Sequence, residues 1–272
     1  MPKRKIAKIS LAIAATAGVL AAMVLLVYFA LENKNNKQII AEFGNKDYTL
    51  PETFTITAAT GCLGTEENTY ISARTGIRSG ARFIQADISF RKDGTPVLAA
   101  RLKDAENAPE LKLVFDYMKD YEEVSMLLNL KQLTNLPGIE LLAEEYNLRK
   151  RLKYTGITAE HAAYIQYESP SIGYYLDITS EKDKLNDPSY CAGLAELALS
   201  KTAEGINCPA SLISETLVSA VRAYGLKVSV FGADKEIELY ESLALSVDNI
   251  ITKEPKKLRE IIDKWQGQQT PQ

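Results

Sequence analysis

The sequence predicts a (β/α)8 TIM-type barrel preceded by one N-terminal transmembrane helix. Two observations carry this. Eight short apolar runs alternate with amphipathic stretches over about 230 residues, a rhythm of parallel strands and covering helices rather than an open sheet. Ahead of them, Ile9 to Leu31 runs 23 residues without a charge. At about 1.5 Å per residue that helix reaches roughly 34 Å, enough for a bilayer core.

The first segment sets the address of the rest. Lys3, Arg4, Lys5 and Lys8 precede the apolar run, which places the N-terminus in the cytoplasm and the following body outside. The run exceeds the usual length of a cleavable signal core and ends in Val27-Tyr28-Phe29, a poor cleavage site and a good interfacial aromatic pair. The expected organisation is a cytoplasmic basic segment at 1–8, a signal anchor at 9–31, a tether at 32–50, a barrel at 51–265 and a tail at 266–272. Localisation is therefore the cell membrane, single-pass, with the barrel extracytoplasmic.

The strands are expected at Phe54–Ala58, Phe83–Ser89, Val124–Leu128, Tyr154–Ile157, Ile172–Leu176, Gly205–Cys208, Lys227–Phe231 and Asn249–Thr252. Between them Leu217, Val221 and Tyr224 mark one helix stripe and Ile237, Tyr240 and Leu243 another. Pro255 opens the last helix, followed by Leu258, Ile261, Ile262 and Trp265 on one face.

Composition excludes several functions. Residues 1–37 hold six basic residues against one acidic, a net of +5, and the remainder holds 26 basic against 34 acidic, a net of −8. An acidic body repels phosphate backbones, so nucleic acid is not an expected partner. The chain has a single histidine, His161, which rules out any mechanism built on two. It falls in the first turn of a predicted helix, a surface position. Three cysteines, Cys62, Cys191 and Cys208, are compatible with one disulfide plus a leftover thiol, Cys191 and Cys208 both being expected near the upper face of neighbouring βα units, or with three ordinary small apolar residues.

In a barrel of this kind chemistry sits at the carboxyl ends of the strands, here residues 59–68, 85–87, 99–101, 129–131, 207–209 and 231–234. Gln85 and Asp87 are two apart on one strand and face the same way, and Asn129 and Lys131 repeat that spacing. Glu66-Glu67-Asn68-Thr69 opens the first helix, with Asn68 or Thr69 as its N-cap.

These motifs and their order resemble the glycerophosphodiester phosphodiesterase family, within the phospholipase-C-like phosphodiesterase barrels. Glu67-Asn68-Thr69 resembles the family's Glu-Asn-Thr. The run from Gly80 to Ile88 resembles its Gly-Ala-Asp-x-Ile-Glu-x-Asp-Val block. Asp93-Gly94-Thr95-Pro96-Val97-Leu98 resembles Asp-Gly-x-Pro-Val-Val, and Val247-Asp248-Asn249-Ile250-Ile251-Thr252-Lys253-Glu254-Pro255 its closing strand. The likeness covers roughly residues 52–262.

The resemblance implies two catalytic histidines, an arginine and a divalent metal held by three carboxylates. Here the His-Arg pair falls on Ala59 and Thr60, and the later His-Asp on Ala100 and Arg101. The metal set reads Gln85-x-Asp87 and Asn129-x-Lys131, so Asp87 is the one metal-ligand position retained. No catalytic residue and no cofactor are expected, since one carboxylate, two amides and a lysine hold a hard cation poorly. Amides in place of two carboxylates also relieve the repulsion that a lost cation would leave behind.

The expectation is a pseudoenzyme of lipid-metabolism ancestry acting as an extracytoplasmic binding or scaffold module. Its ligand site would be Glu67, Gln85, Asp87, Asn129, Lys131, Asn207 and Phe231, with Phe231 where the family carries Trp. A glycerophosphodiester, a polyol or a membrane protein are the expected partners beside the membrane itself. The alternative is an active phosphoric diester hydrolase recruiting Glu67, Asp87 and Lys131.

Overall fold

The computed structural model describes residues 49–269, together with 22–31 and residues 33, 34, 37, 38, 40 and 41. The chain divides into two units, Met1–Asp47 and Tyr48–Gln272. In the first, residues 22–31 are helical with exposed side chains. Residues 9–21 of the expected membrane span lie outside the described residues, and among the described residues no helix is long and apolar enough to cross a membrane.

The second unit is a closed barrel. Its strands are β1 (Thr55–Ala58), β2 (Phe83–Phe90), β4 (Ser125–Leu130), β5 (Leu152–Ile157), β6 (Gly173–Asp177), β7 (Gly205–Pro209), β8 (Lys227–Phe231) and β9 (Asn249–Thr252). Each is parallel to the next, and β1 closes the ring by pairing with both β2 and β9. The expected strands recur within one or two residues at each end. One strand was not anticipated: β3 (Pro96–Leu98) folds back antiparallel on β2. Its three residues are too short for periodicity to register, and only the pairing with Ile88–Phe90 makes it a strand.

Eight helices cover the ring: α1 (Tyr70–Arg78), α2 (Leu111–Met118), α3 (Leu136–Glu145), α4 (Ala162–Glu168), α5 (Pro188–Ser200), α6 (Glu215–Ala223), α7 (Glu236–Ala244) and α8 (Pro255–Gln269). Local chemistry starts them. Thr69, Asn135, Asp187 and Ser214 each accept a hydrogen bond from a first-turn N–H through the side chain, filling valences a helix leaves open. Proline occupies the first turn of α3 and α5. On α7 the Glu238 carboxylate accepts from the N–H groups of Asp234 and Lys235. The buried stripe of α7 is Leu239, Ser242 and Leu243; Ile237 and Tyr240 of the expected stripe are half-buried. Helix α8 continues to Gln269, into the stretch expected as a tail.

Strand alternation places Ile56, Val228, Val230 and Ile250, all buried, opposite a polar set. In that set the Asn249 carboxamide accepts from Thr55 Oγ1 at 2.9 Å and Thr57 Oγ1 at 2.7 Å, and donates to Ser229 Oγ at 2.9 Å. Buried polar groups are tolerated here because they satisfy one another. The three cysteines are buried free thiols, so the disulfide option for Cys191 and Cys208 does not hold. Cys191 Sγ instead donates to the Leu185 carbonyl.

Gly156 is required by the geometry. It sits at φ +78° beside a register shift in β5, and a Cβ there would lie 2.6 Å from the Leu130 carbonyl and 2.7 Å from Asn129 Oδ1. A left-handed, tightly approached position of this kind admits only glycine without strain.

Candidate functional site

Strand register builds the site. Pairing of β2 with β4 sets Asp87 beside Asn129, and pairing of β6 with β7 sets Asp177 beside Asn207. In both pairs the amide donates to the neighbouring carboxylate: Asn129 Nδ2 to Asp87 Oδ1 at 2.6 Å, and Asn207 Nδ2 to Asp177 Oδ1 at 3.0 Å. A carboxylate on one strand and an amide at the same height on the next is thus used twice around the mouth.

Asp87 is 8% exposed, and its bonds are the densest in the site. Besides Asn129, Lys131 Nζ stands 3.1 Å from Oδ1. Asn68 Nδ2 donates to Oδ2 at 3.0 Å, while Asn68 Oδ1 accepts from the Asp87 N–H at 2.9 Å. Asn68 reaches back from the loop after β1 because it adopts φ +55°, a conformation Asn tolerates better than most residues. Its own N–H donates to Thr60 Oγ1. The helix cap is therefore Thr69 alone, and Asn68 belongs to the site.

The mouth is a cavity of about 540 Å³. All seven expected residues line it: Glu67, Gln85, Asp87, Asn129, Lys131, Asn207 and Phe231. So do Ala59 and Thr60, and also Asp177, Asp234 and Lys253, which were not among the expected ligand residues. A charged residue at or just after the end of each strand is the signal that would have found Asp177 and Lys253. Lys253 Nζ donates to Glu67 Oε1 at 2.6 Å, and this contact holds its ammonium above its ordinary pKa. The Lys253 N–H donates to Asp234 Oδ1 at 2.7 Å. Burial raises the Asp177 carboxyl above its ordinary value, against the lowering pull of the Asn207 amide, the Gly156 N–H and the Lys131 charge.

Ala100 and Arg101 line a separate hollow shared with Glu67 and Asn68, and Arg101 is turned to Asp104 at 2.6 Å. His161 is exposed at the N-cap of α4, its Nδ1 3.1 Å from Thr158 Oγ1, outside the mouth.

A divalent cation does not fit the Asp87 cluster as it is bonded here. Hard cations need several oxygen donors carrying net negative charge. Both oxygens of Asp87 accept from N–H groups, and neither an amide N–H nor an ammonium can serve as a ligand.

No protein-family model matches the chain, and no curated protein sequence matches it. Solved structures do. A glycerophosphodiester phosphodiesterase from Parabacteroides distasonis superposes with a TM-score of 0.62 at 16% identity, covering 78% of this chain and 98% of that one. A phosphodiesterase from Oleispira antarctica, in complex with the product sn-glycerol-3-phosphate, gives 0.64 at 16% identity, covering 79% and 97%. A glycerophosphodiester phosphodiesterase from Thermotoga maritima gives 0.59 at 17% identity, covering 76% and 98%. Over about three-quarters of its length, the chain has the fold of the glycerophosphodiester phosphodiesterases.

Proposed function

We propose that this protein is a membrane-anchored glycerophosphodiester phosphodiesterase-like barrel that binds a ligand in its mouth and does not hydrolyse it by the metal-assisted acid–base route. The observation that carries the reading is the Asp87 carboxylate, bonded to Asn68, Asn129 and Lys131. Lys131 and the two amides supply the compensation a cation would otherwise give.

The proton-transfer groups point the same way. The resemblance puts its histidines at Ala59 and Ala100, and a positioned acid or base is typically worth about 10²–10⁴-fold in rate. The groups that a replacement mechanism would recruit are engaged, Lys131 with Asp87 and Glu67 with Lys253. The anchor is supported by the uncharged run from Ile9 to Leu31 behind four basic residues, and by the exposure of the apolar side chains at residues 23–29.

The test is phosphate-diester turnover by the full chain on glycerophosphocholine with Mg²⁺, Ca²⁺ or Zn²⁺. No turnover above the uncatalysed rate is expected. Metal-dependent hydrolysis that disappears in Asp87→Ala would refute the reading and favour an active phosphoric diester hydrolase. For the anchor, a mature N-terminus beyond residue 31, read by mass spectrometry of the membrane fraction, would overturn it.

A further inference from the structure

The hydrogen-bonding valences left over in the mouth distinguish between ligand classes. Both ammonium groups of the lining already face carboxylates, Lys131 at Asp87 and Lys253 at Glu67. Two further carboxylates, Asp177 and Asp234, line the same cavity, and among the described residues neither has an ion-pair partner. Asn207 is 2% exposed, and its Oδ1 is buried with no hydrogen-bond partner while its Nδ2 is committed to Asp177. A buried acceptor without a donor is costly. The mouth therefore offers more acceptors than donors, in a lining of four carboxylates against two ammoniums.

We propose that the mouth takes an uncharged polyhydroxy compound, a cyclic polyol or a sugar, in preference to a phosphodiester. The inference rests on the barrel being a non-hydrolytic binding module and specifies what that module binds. A hydroxyl both donates and accepts. It can donate to the Asp177 and Asp234 carboxylates, while its oxygen accepts from Lys131 or the Gln85 amide. The oxygens of a phosphodiester only accept. They would bring a further negative charge to an acidic lining. An organic ammonium is drawn to the carboxylates, but its charge meets Lys131 and Lys253 in the same lining. Phe231 and Ile251 supply the apolar wall against which the C–H face of a ring packs, and the volume falls in the range of small-molecule sites.

The experiment is calorimetric titration of the full chain with myo-inositol, glucose, glycerophosphocholine and choline, run beside the phosphate-release assay. One of the two polyols is expected to bind at least about tenfold more tightly than glycerophosphocholine or choline. Phe231→Ala, at the rim of the mouth, and Asp177→Ala are each expected to weaken it by about tenfold, with unchanged far-UV circular dichroism. Equal or tighter binding of glycerophosphocholine without turnover overturns the ligand class and leaves the binding-module reading standing. Tighter binding of choline, or no binding of either polyol, also overturns the ligand class. Turnover that is lost in Asp87→Ala overturns both.

Discussion

Replacing Asn129 with Asp changes one NH2 to O at nearly constant shape and tests what holds Asp87. In the structure Asn129 Nδ2 is 2.6 Å from Asp87 Oδ1. Asn129→Asp removes a hydrogen bond to a charged acceptor, about 1.5–3 kcal/mol. It also sets two carboxylates side by side; after relaxing to about 4 Å, their repulsion at an effective dielectric of 20 is about 4 kcal/mol. Lys131, 3.1 Å from the same oxygen, offsets part of this. The expected loss is about 3–5 kcal/mol at pH 8 in EDTA, measured by urea unfolding. The single tryptophan, Trp265, is buried on α8 and supplies the fluorescence signal. The pH dependence has a definite sign. Repulsion makes one carboxyl of the folded variant take up a proton more readily than in the unfolded chain. The penalty is therefore full above that raised folded pKa and shrinks as pH falls through it toward the unfolded value. Millimolar Mg²⁺ or Ca²⁺ should restore stability to the variant and leave the parent unchanged. A variant within about 0.5 kcal/mol of the parent at pH 8, or a parent stabilised by the cation as strongly as the variant, would show that Asp87 is not held as described.

Other outcomes follow from the same geometry. Gly156→Ala is expected to cost about 2–3 kcal/mol in urea unfolding, because the new Cβ meets the Leu130 carbonyl and Asn129 Oδ1 at a left-handed φ; a neutral result would mean that β5 can shift freely. Asp177→Asn should stabilise the protein at pH 8 relative to the parent, since burial raises the Asp177 carboxyl when folded. That gain should fade as pH falls through the raised value and vanish below the unfolded one; a gain independent of pH between 4 and 8 would contradict it. Burial pushes the Cys208 thiol up to about 12, with Asp177 adding to the shift. It should resist thiol reagents at pH 8 in the folded chain. Full denaturation should release three titratable thiols without a reductant; a count of one would reveal a disulfide.

Much of the barrel is legible in the chain because its strands are buried on both faces. Runs such as Lys227–Phe231 and Asn249–Thr252 stand out as apolar whatever their neighbours, and their observed bounds are those expected. Glu67, Gln85, Asp87, Asn129, Lys131, Asn207 and Phe231 could be gathered into one mouth from the rule that strand ends converge. Asn68 was legible only as a cap residue, since local spacing cannot show a side chain turning away from its helix to a strand 19 positions on. Asp177 and Asp234 carry no motif, and β3 exists only through its partner.

By itself, then, the sequence determined the alternation of strands and helices, the single exposed histidine and the residue types at the mouth, because those follow from composition and period along one chain. Only the tertiary structure decided which groups meet. Closing β1 onto both β2 and β9 fixes the height of every strand, and that register sets Asp87 against Asn129, Asp177 against Asn207 and Lys253 against Glu67. A hydrogen bond depends on distances of a few ångströms between residues up to 195 positions apart, and no local pattern in the chain encodes them.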